Sequence, residues 1–424
     1  MEKPSDFSGI PARRSAAYLL DRILGDGKLM QELIGEGALD RLSPPDRARA
    51  QRLATEVLRG MDRADKLLSR HVKKAPPLPI RNILRIGAVE LSQGVAAHGV
   101  VNDLVNIAAR NKNNGRLKGM VNAVLRKLAD HAVGDWKGLA VPRLPSWLRA
   151  PLSSAWGKDP IVAMEMAHFK GAPLDLSPKG DAQALAAMVD GIVLPNGSVR
   201  IQDAGQVSAL PGYDAGDWWV QDAAAAIPAQ LIRGDTVLDL CAAPGGKTMQ
   251  LAAMGKTVTA VDVSEGRAEV LKVNLARVGL PAQIEVIDAF EVTGTYDAVL
   301  LDAPCSATGT IRRHPDLPFA KDGAEFSGLI EQQGAMIDHA LTLLKPGGQL
   351  VFCTCSLLPD EGEVQIEDAL ARHPDLSLDV EAMQAPWIED AWRSSEGGLR
   401  LRPDYWADRG GMDGFYIAAL RKEA

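Results

Sequence analysis

The chain has 424 residues, of which 46% are hydrophobic and 24% charged, and its formal net charge is −7. This length predicts two or three domains, and the balance of apolar and charged residues excludes a disordered or fibrous chain. The first residues lack the apolar stretch of a signal peptide, and no run approaches the roughly 20 apolar residues that cross a bilayer, so we expect a cytoplasmic protein with no membrane partner.

The N-terminal third is basic. Residues 1–137 contain 24 lysines and arginines against 15 aspartates and glutamates, whereas the remainder contains 23 against 39. Apolar residues recur at helical spacing from residue 10 to 130, which predicts an all-α domain of about five to seven helices over residues 1–137. Its clusters of basic residues, at 47–63 and 111–118, are typical of a polyanion-binding module, although a solvated helical surface has the same composition.

The pattern changes twice further along the chain. Residues 138–216 predict a small α/β subdomain, with strands at 172–176 and 199–202 around a helix at 181–189. Residues 217–424 alternate strands and helices, which predicts a Rossmann-like, doubly wound, mostly parallel sheet. Its strands are predicted at 236–240, 257–263, 284–287, 296–302 and 348–354, with two more at 398–402 and 415–420. Helices are predicted between them, most clearly at 265–278 and 324–344. Trp218 and Trp219 favour a buried strand over stacking on bases.

A glycine-rich turn follows the first strand of this sheet. Small residues there let the backbone turn sharply and approach a ligand at the carboxyl end of the strand. The spacing matches neither a phosphate-binding Walker loop nor the dinucleotide motif. The predicted cofactor-binding loop consists of Cys241, Ala242, Ala243, Pro244, Gly245, Gly246 and Lys247.

Four carboxylates stand at or near the ends of successive strands: Asp239, Asp262, Asp288 and Asp302. Strand ends at one edge of an open sheet line a single crevice, so these groups are expected to contact one ligand. Asp262 would bind ribose hydroxyls and Asp288 an adenine amino group. Acidic groups without a phosphate loop favour an adenosine cofactor that carries positive charge, and S-adenosylmethionine fits.

Two of the four cysteines follow neighbouring strands. Cys305 comes after the fourth strand and Cys355 closes the fifth, so both are expected at the same crevice, whereas Cys353 is expected in the core. Two thiols beside a methyl donor suit the methylation of a pyrimidine at carbon 5. That carbon needs activation by thiolate addition at carbon 6, and a second group must help to break the bond between sulfur and carbon 6 afterwards. Lys247 and a bound sulfonium would favour the thiolate. Asp302 could bind the ring edge. No cysteine spacing indicates a metal site, and none is expected.

Two stretches, 81–91 and 119–126, resemble the NusB family, an α-helical RNA-binding fold, over roughly residues 10–130. Four others, 241–248, 302–316, 344–348 and 354–356, resemble the Sun (RsmB-type) family of ribosomal RNA 5-methylcytosine methyltransferases, in which a NusB-like domain is the usual companion. The closing strand of that family resembles residues 413–416.

The resemblance implies a monomeric enzyme that uses S-adenosylmethionine to methylate cytosine in small-subunit (16S) ribosomal RNA. Its nucleophile falls on Cys355 and its release cysteine on Cys305. Its cofactor contacts fall on residues 241–247, Asp262, Asp288 and Asp302, and its middle subdomain is RRM-like.

This chain departs from the family at three places: Ala307 replaces a typical glycine, residues 173–178 lack the usual Arg-x-Asn segment, and Cys353 is not typical. His314 lies in a basic loop and is equally compatible with a phosphate contact and a plain loop role. Three alternatives remain open. Cys305 could be the nucleophile, the methyltransferase half could be inert in an RNA-binding or antitermination factor, or the substrate could be tRNA.

Overall fold

The computed structural model describes residues 9–202 and 204–423. In that part of the chain the α-helices are, in order, α1 (Ile10–Asp26), α2 (Met30–Gly35), α3 (Pro44–Arg59), α4 (Met61–Ser69), α5 (Leu78–Ser92), α6 (Ala97–Ala109), α7 (Lys118–Ala129), α8 (Ala132–Lys137), α9 (Ser146–Trp156), α10 (Lys158–Lys170), α11 (Ala182–Val189), α12 (Ile227–Gln230), α13 (Gly246–Ala253), α14 (Glu265–Val278), α15 (Leu317–Ala320), α16 (Phe326–Thr342) and α17 (Glu363–Arg372). None of these helices is long and apolar enough to span a membrane.

The β-strands of the same residues are β1 (Leu174–Pro178), β2 (Ile192–Val193), β3 (Val199–Ile201), β4 (Trp218–Val220), β5 (Thr236–Leu240), β6 (Thr257–Val261), β7 (Gln283–Glu285), β8 (Tyr296–Asp302), β9 (Leu344–Thr354), β10 (Leu376–Leu378), β11 (Leu399–Leu401) and β12 (Phe415–Lys422). They form two separate sheets.

The described residues divide into two compact units. The first takes in the chain up to Ala150 together with Ile161–Gly171 and Ile311–Asp322. The second holds Pro151–Pro160, Ala172–Thr310 and the chain from Gly323 onward. The domain boundaries predicted after residues 137 and 216 stay a prediction.

The first unit is helical, as its apolar spacing predicts. Leu19 and Leu20 of α1 and Val57 of α3 are fully buried in its core. Phe319, which lies far along the chain, packs against the same core, so the segment Ile311–Asp322 is an integral part of this unit. A buried ion pair crosses the core, with the Arg13 guanidinium 2.6 Å from a carboxylate oxygen of Glu90.

The smaller sheet of the second unit has the order β2-β3-β1-β4, and its paired strands are antiparallel. Its first strand begins two residues later than predicted, because pairing with β3 and β4 rather than local pattern decides where it starts. Trp218 and Trp219 form β4 and are 0% and 2% exposed, so they are core residues rather than a stacking platform. Asp175 and Arg200 form a fully buried ion pair at 2.6 Å between β1 and β3.

The larger sheet has the order β10-β12-β9-β8-β5-β6-β7, with β11 paired to β12. The strands from β9 to β7 are parallel, and β12 runs antiparallel to β9. This arrangement confirms the predicted Rossmann-like fold. Its apolar strands are covered by helices on both sides, so the carboxyl ends of β5, β6, β8 and β9 open at one edge.

Local signals set several boundaries of this sheet. Helix α14 occupies the predicted residues because the Ser264 hydroxyl accepts from the Arg267 amide and Gly279 ends it with φ of +62°. Strand β7 ends at Glu285, so the prediction that Asp288 ends the third strand is wrong. Strand β9 begins at Leu344, four residues before its predicted start, because Leu344 pairs with Tyr296 of β8.

Candidate active site

Two cysteines meet at the edge of the parallel sheet. Strands β8 and β9 run side by side with Asp302 opposite Cys353, so the residues that follow them leave the sheet together. Cys305 lies three residues beyond β8 and Cys355 directly follows β9. Their Sγ atoms are 3.4 Å apart and both side chains are partly exposed. The structure therefore brings together the two thiols that the sequence predicted at one crevice.

The environment of Cys305 favours its protonated form. The hydrogen bond with Cys355 raises the pKa of Cys305 well above its ordinary value, and burial and the charge of Glu361 act in the same direction. Cys305 therefore keeps its proton in this environment.

Asp302 lies between a cation and a third cysteine. The Lys247 ammonium donates to its Oδ2 at 2.7 Å, and the Cys353 thiol donates to its Oδ1 at 3.4 Å. Burial opposes the charged form of Lys247, but the attraction of the surrounding acidic groups, with Asp302 the foremost, together outweighs burial and raises the pKa of Lys247. Lys247 is thus a fixed cation whose partner is Asp302. Cys353 is fully buried, as predicted, and burial raises the pKa of its thiol well above the ordinary value.

The loop 241–247 turns between β5 and α13. Gly245 has φ of +102°, and a Cβ there would lie 2.3 Å from Leu271 Cδ1, so a side chain is excluded. Cys241 also has a positive φ, of +61°. Burial raises the pKa of its thiol to about 12, so Cys241 is a structural residue of the turn and not a nucleophile.

The other carboxylates differ in what they do. Asp262 is buried and holds the turn, because its side chain accepts from the amides of Ala243 at 3.1 Å and Ser264 at 3.0 Å. Asp288 is exposed and caps a single helical turn by accepting from the Phe290 amide at 3.0 Å. Asp262 and Asp288 therefore both hold backbone amides in place.

Asp239 is the fourth of these groups and is fully buried in β5. Its Oδ2 accepts from the Thr248 hydroxyl at 2.6 Å, and its Oδ1 has no hydrogen-bond partner. Burial raises the pKa of Asp239 to about 7. Asp239 has no exposed surface through which to contact a ligand, contrary to the expectation for all four carboxylates.

Comparison with known proteins places this geometry in a family. The family model for the 16S rRNA methyltransferase RsmB/F matches residues 227–421, and the NusB family model matches residues 10–130. The ribosomal RNA small subunit methyltransferase B of Cronobacter sakazakii is 31% identical over 98% of this chain and 99% of its own. The chain belongs to the RsmB/F family. The protein of the same name from Pseudomonas syringae pathovar tomato is 33% identical over 97% of each chain.

The RsmB/F membership confirms the resemblance seen in the sequence, and with it a methyltransferase and a NusB-type helical domain. A solved structure of a methyltransferase homologue from Pyrococcus horikoshii is also similar, with 27% identity, a TM-score of 0.54 and coverage of 64% of this chain and 93% of that one. All the predicted site residues lie inside the range that the RsmB/F model matches. The small sheet, β1 to β4, lies outside both matched ranges.

Sequence reasoning missed Glu361, which joins the two cysteine loops of this RsmB/F site. Its carboxylate is fully buried and accepts from the hydroxyls of Ser306 and Ser356, both at 2.5 Å, and from the Ser306 amide at 2.9 Å. Gln333 donates to the same carboxylate at 3.0 Å. Because Ser306 follows Cys305 and Ser356 follows Cys355, one side chain holds both thiols in register. An acidic residue shortly after Thr354-Cys355-Ser356 was the available signal.

Proposed function

We propose that this RsmB/F chain transfers a methyl group from S-adenosylmethionine to carbon 5 of a cytosine in small-subunit ribosomal RNA. The observation that carries the proposal is the 3.4 Å separation of Cys305 Sγ and Cys355 Sγ beside the Lys247–Asp302 pair. Two adjacent thiols supply what this substitution requires, a nucleophile and a group that helps to release it. The names of the Cronobacter and Pseudomonas relatives support ribosomal RNA as the substrate class.

The residues around the turn 241–247 suit the cofactor. Asp302, whose side chain is 32% exposed, and the exposed Asp288 offer acceptors for a molecule that carries positive charge and hydroxyl and amino groups. Val263 and Phe290 are 69% and 42% exposed and follow the neighbouring strands β6 and β7, where they can cover an adenine ring. When bound, S-adenosylmethionine supplies a methyl group on a positively charged sulfur.

Cys355 is the nucleophile in this proposal. Its thiolate adds to carbon 6 of the cytosine, and the electron pair displaced from the ring double bond makes carbon 5 nucleophilic. Carbon 5 takes the methyl group. Once Cys355 is bonded to carbon 6 and uncharged, Cys305 releases its own proton to solvent and then takes the proton of carbon 5. The electron pair of that C–H bond re-forms the ring double bond, and the bond between carbon 6 and Cys355 breaks with return of the thiolate, whose sulfur lies 3.4 Å from that of Cys305.

Asp302 and Lys247 are placed to bind the edge of the cytosine ring. Asp302 uses a carboxylate oxygen to accept from the cytosine ring edge, and Lys247 fixes the position and charge of that carboxylate through its 2.7 Å bond. The cation lies 5.4 Å from the Phe415 ring centroid, which adds a second restraint on it.

The helical unit supplies cations for the RNA backbone. In the basic cluster at 47–63 several arginines already have partners, since Arg49 pairs with Glu90 and Arg63 donates to backbone carbonyls. In the cluster at 111–118, Lys112, Arg116 and Lys118 are exposed. These exposed cations are candidates for contacts with phosphates on the protein surface.

The decisive experiment compares Cys355→Ala with Cys305→Ala on unmodified 16S ribosomal RNA and radiolabelled cofactor. Cys355→Ala is expected to lose methyl transfer while it retains the cofactor, because the nucleophile is gone. Cys305→Ala is expected to accumulate a covalent protein–RNA adduct that depends on cofactor. Adduct formation by Cys355→Ala instead would make Cys305 the nucleophile. Methylation of tRNA but not of ribosomal RNA would reassign the substrate, and no transfer by the wild type to either would indicate an inert domain.

A further inference from the structure

A cleft in the helical unit has no part in the chemistry described above. It has a cavity volume of about 50 Å³ and is bordered by α3, α10, residues 142–145 and the segment Ile311–Asp322. All of these belong to the first unit. Most of its lining is apolar, and the polar side chains in it are Arg59, Arg143, Glu165 and His168.

His168 has unsatisfied polar atoms. The side chain lines the cleft and is 7% exposed, and neither ring nitrogen has a hydrogen-bond partner. A neutral imidazole carries one donor and one acceptor, and leaving both without a hydrogen-bond partner in a buried position is destabilising. Such a cost is repaid when a bound polar group supplies the missing partners.

The charges around His168 are positive. The Arg59 guanidinium donates one hydrogen bond, to the Arg312 carbonyl at 2.8 Å, and its buried Nε has no partner. Arg143 is exposed. Glu165 is the carboxylate of the lining, but it already accepts from the Leu144 amide at 2.9 Å and from Arg149 at 2.7 Å. The cleft therefore offers N–H donors and positive charge without a free carboxylate.

The titration of His168 agrees with this description. Burial, together with the charges of Arg312 and Arg59, lowers the pKa of His168 to about 3. A bound anion would counter the positive charges of both arginines. It could accept a hydrogen bond from the N–H of the ring as well as from Arg59.

We propose that this cleft binds a phosphate group, held by Arg59 and His168 with Arg143 at its rim. A phosphate is a compact anion with several acceptor oxygens, which suits the planar fork of an arginine together with a separate ring donor. The assignment of that phosphate to the backbone of an RNA substrate rests on the proposed function. The segment Ile311–Asp322, which borders the cleft, follows the loop that contains Cys305 directly in the chain. A substrate phosphate bound here would therefore contact the same stretch of chain that carries Cys305.

The first test titrates inorganic phosphate into the full chain labelled with ¹⁵N-histidine and follows the His168 ring nitrogens by NMR. A saturable shift is expected in the wild type, with affinity weakened by roughly tenfold in Arg59→Gln through loss of a charged hydrogen bond. Arg41→Gln is the matched control, because Arg41 is an exposed arginine of the same unit that does not line the cleft. The absence of a shift at His168 would overturn the site.

The second test measures the affinity for single-stranded ribosomal RNA fragments at several salt concentrations. Arg143→Gln is exposed and should fold, and it is expected to reduce the slope of log affinity against log salt by about 0.7, the value for one phosphate contact on a single strand. Arg41→Gln should leave the slope unchanged. A phosphate shift at His168 with unaltered RNA slopes would overturn the RNA assignment and indicate a free anion. Neither measurement needs methyl transfer, so failure of the proposed activity would be seen separately.

Discussion

Replacement of Glu361 by glutamine tests how far the pairing of the two thiols depends on one buried carboxylate. The change keeps the shape of the side chain and removes its charge. The hydroxyls of Ser306 and Ser356 then bond to a neutral amide instead of a carboxylate, at sites where both distances are now 2.5 Å. A hydrogen bond to a charged group contributes about 1.5–3 kcal/mol and a neutral one about 0.5–1.5, so the two bonds together weaken by about 2 kcal/mol.

If that free energy serves to align Cys305 and Cys355 in the transition state, kcat falls by about thirtyfold while KM for RNA changes little. The assay is single-turnover and steady-state methyl transfer to ribosomal RNA, with circular dichroism as a check of folding. Glu367→Gln is the control, because Glu367 is exposed on α17, the helix that begins two residues after Glu361. Equal kcat values for the two variants would refute the role of Glu361 in positioning the thiols. A rise in KM alone would instead indicate that Glu361 supports RNA binding.

Three further substitutions have defined outcomes. Because burial raises the pKa of Asp239 to about 7, the folded state holds a proton there that the unfolded state releases above pH 4. The free energy of unfolding should therefore fall by up to about 4 kcal/mol between pH 4 and 7. Asp239→Asn should remove this dependence of the unfolding free energy on pH, measured by urea unfolding. An identical pH dependence in the variant and the wild type would contradict the raised pKa of Asp239. Asp175→Asn leaves the buried Arg200 without its counterion and should destabilise the protein by about 3–5 kcal/mol in urea, whereas an unchanged midpoint would mean that Arg200 finds another partner. Ala307 has φ of +58°, so Ala307→Gly should raise stability by about 0.5–1 kcal/mol, measured calorimetrically, and a lower melting temperature would show that the Cβ makes a needed contact.

Elements with strong local signals agree closely with prediction. Strands β5 and β8 and helix α14 occupy the predicted residues, because an apolar run bounded by turn residues, or a serine cap and a closing glycine, defines each of them. Strand β1 and the start of β9 are displaced, since their ends depend on which strand lies beside them. Asp288 shows the same limit. The sequence predicts a strand just before Asp288, but pairing with β6 ends β7 at Glu285.

The order of residues was sufficient to determine the class of sheet, the glycine-rich turn and the meeting of Cys305 with Cys355, because parallel strands must present their carboxyl ends at one edge. Tertiary structure alone decided which polar groups are buried and which groups they are hydrogen-bonded to. Glu361 joins two loops from different strands, and the segment Ile311–Asp322 packs in the helical unit although it follows the catalytic loop in the chain. Such contacts connect residues far apart in sequence. The burial that raises the pKa of Asp239, and the hydrogen bond with Cys355 that raises the pKa of Cys305, exist only once those distant segments have packed together.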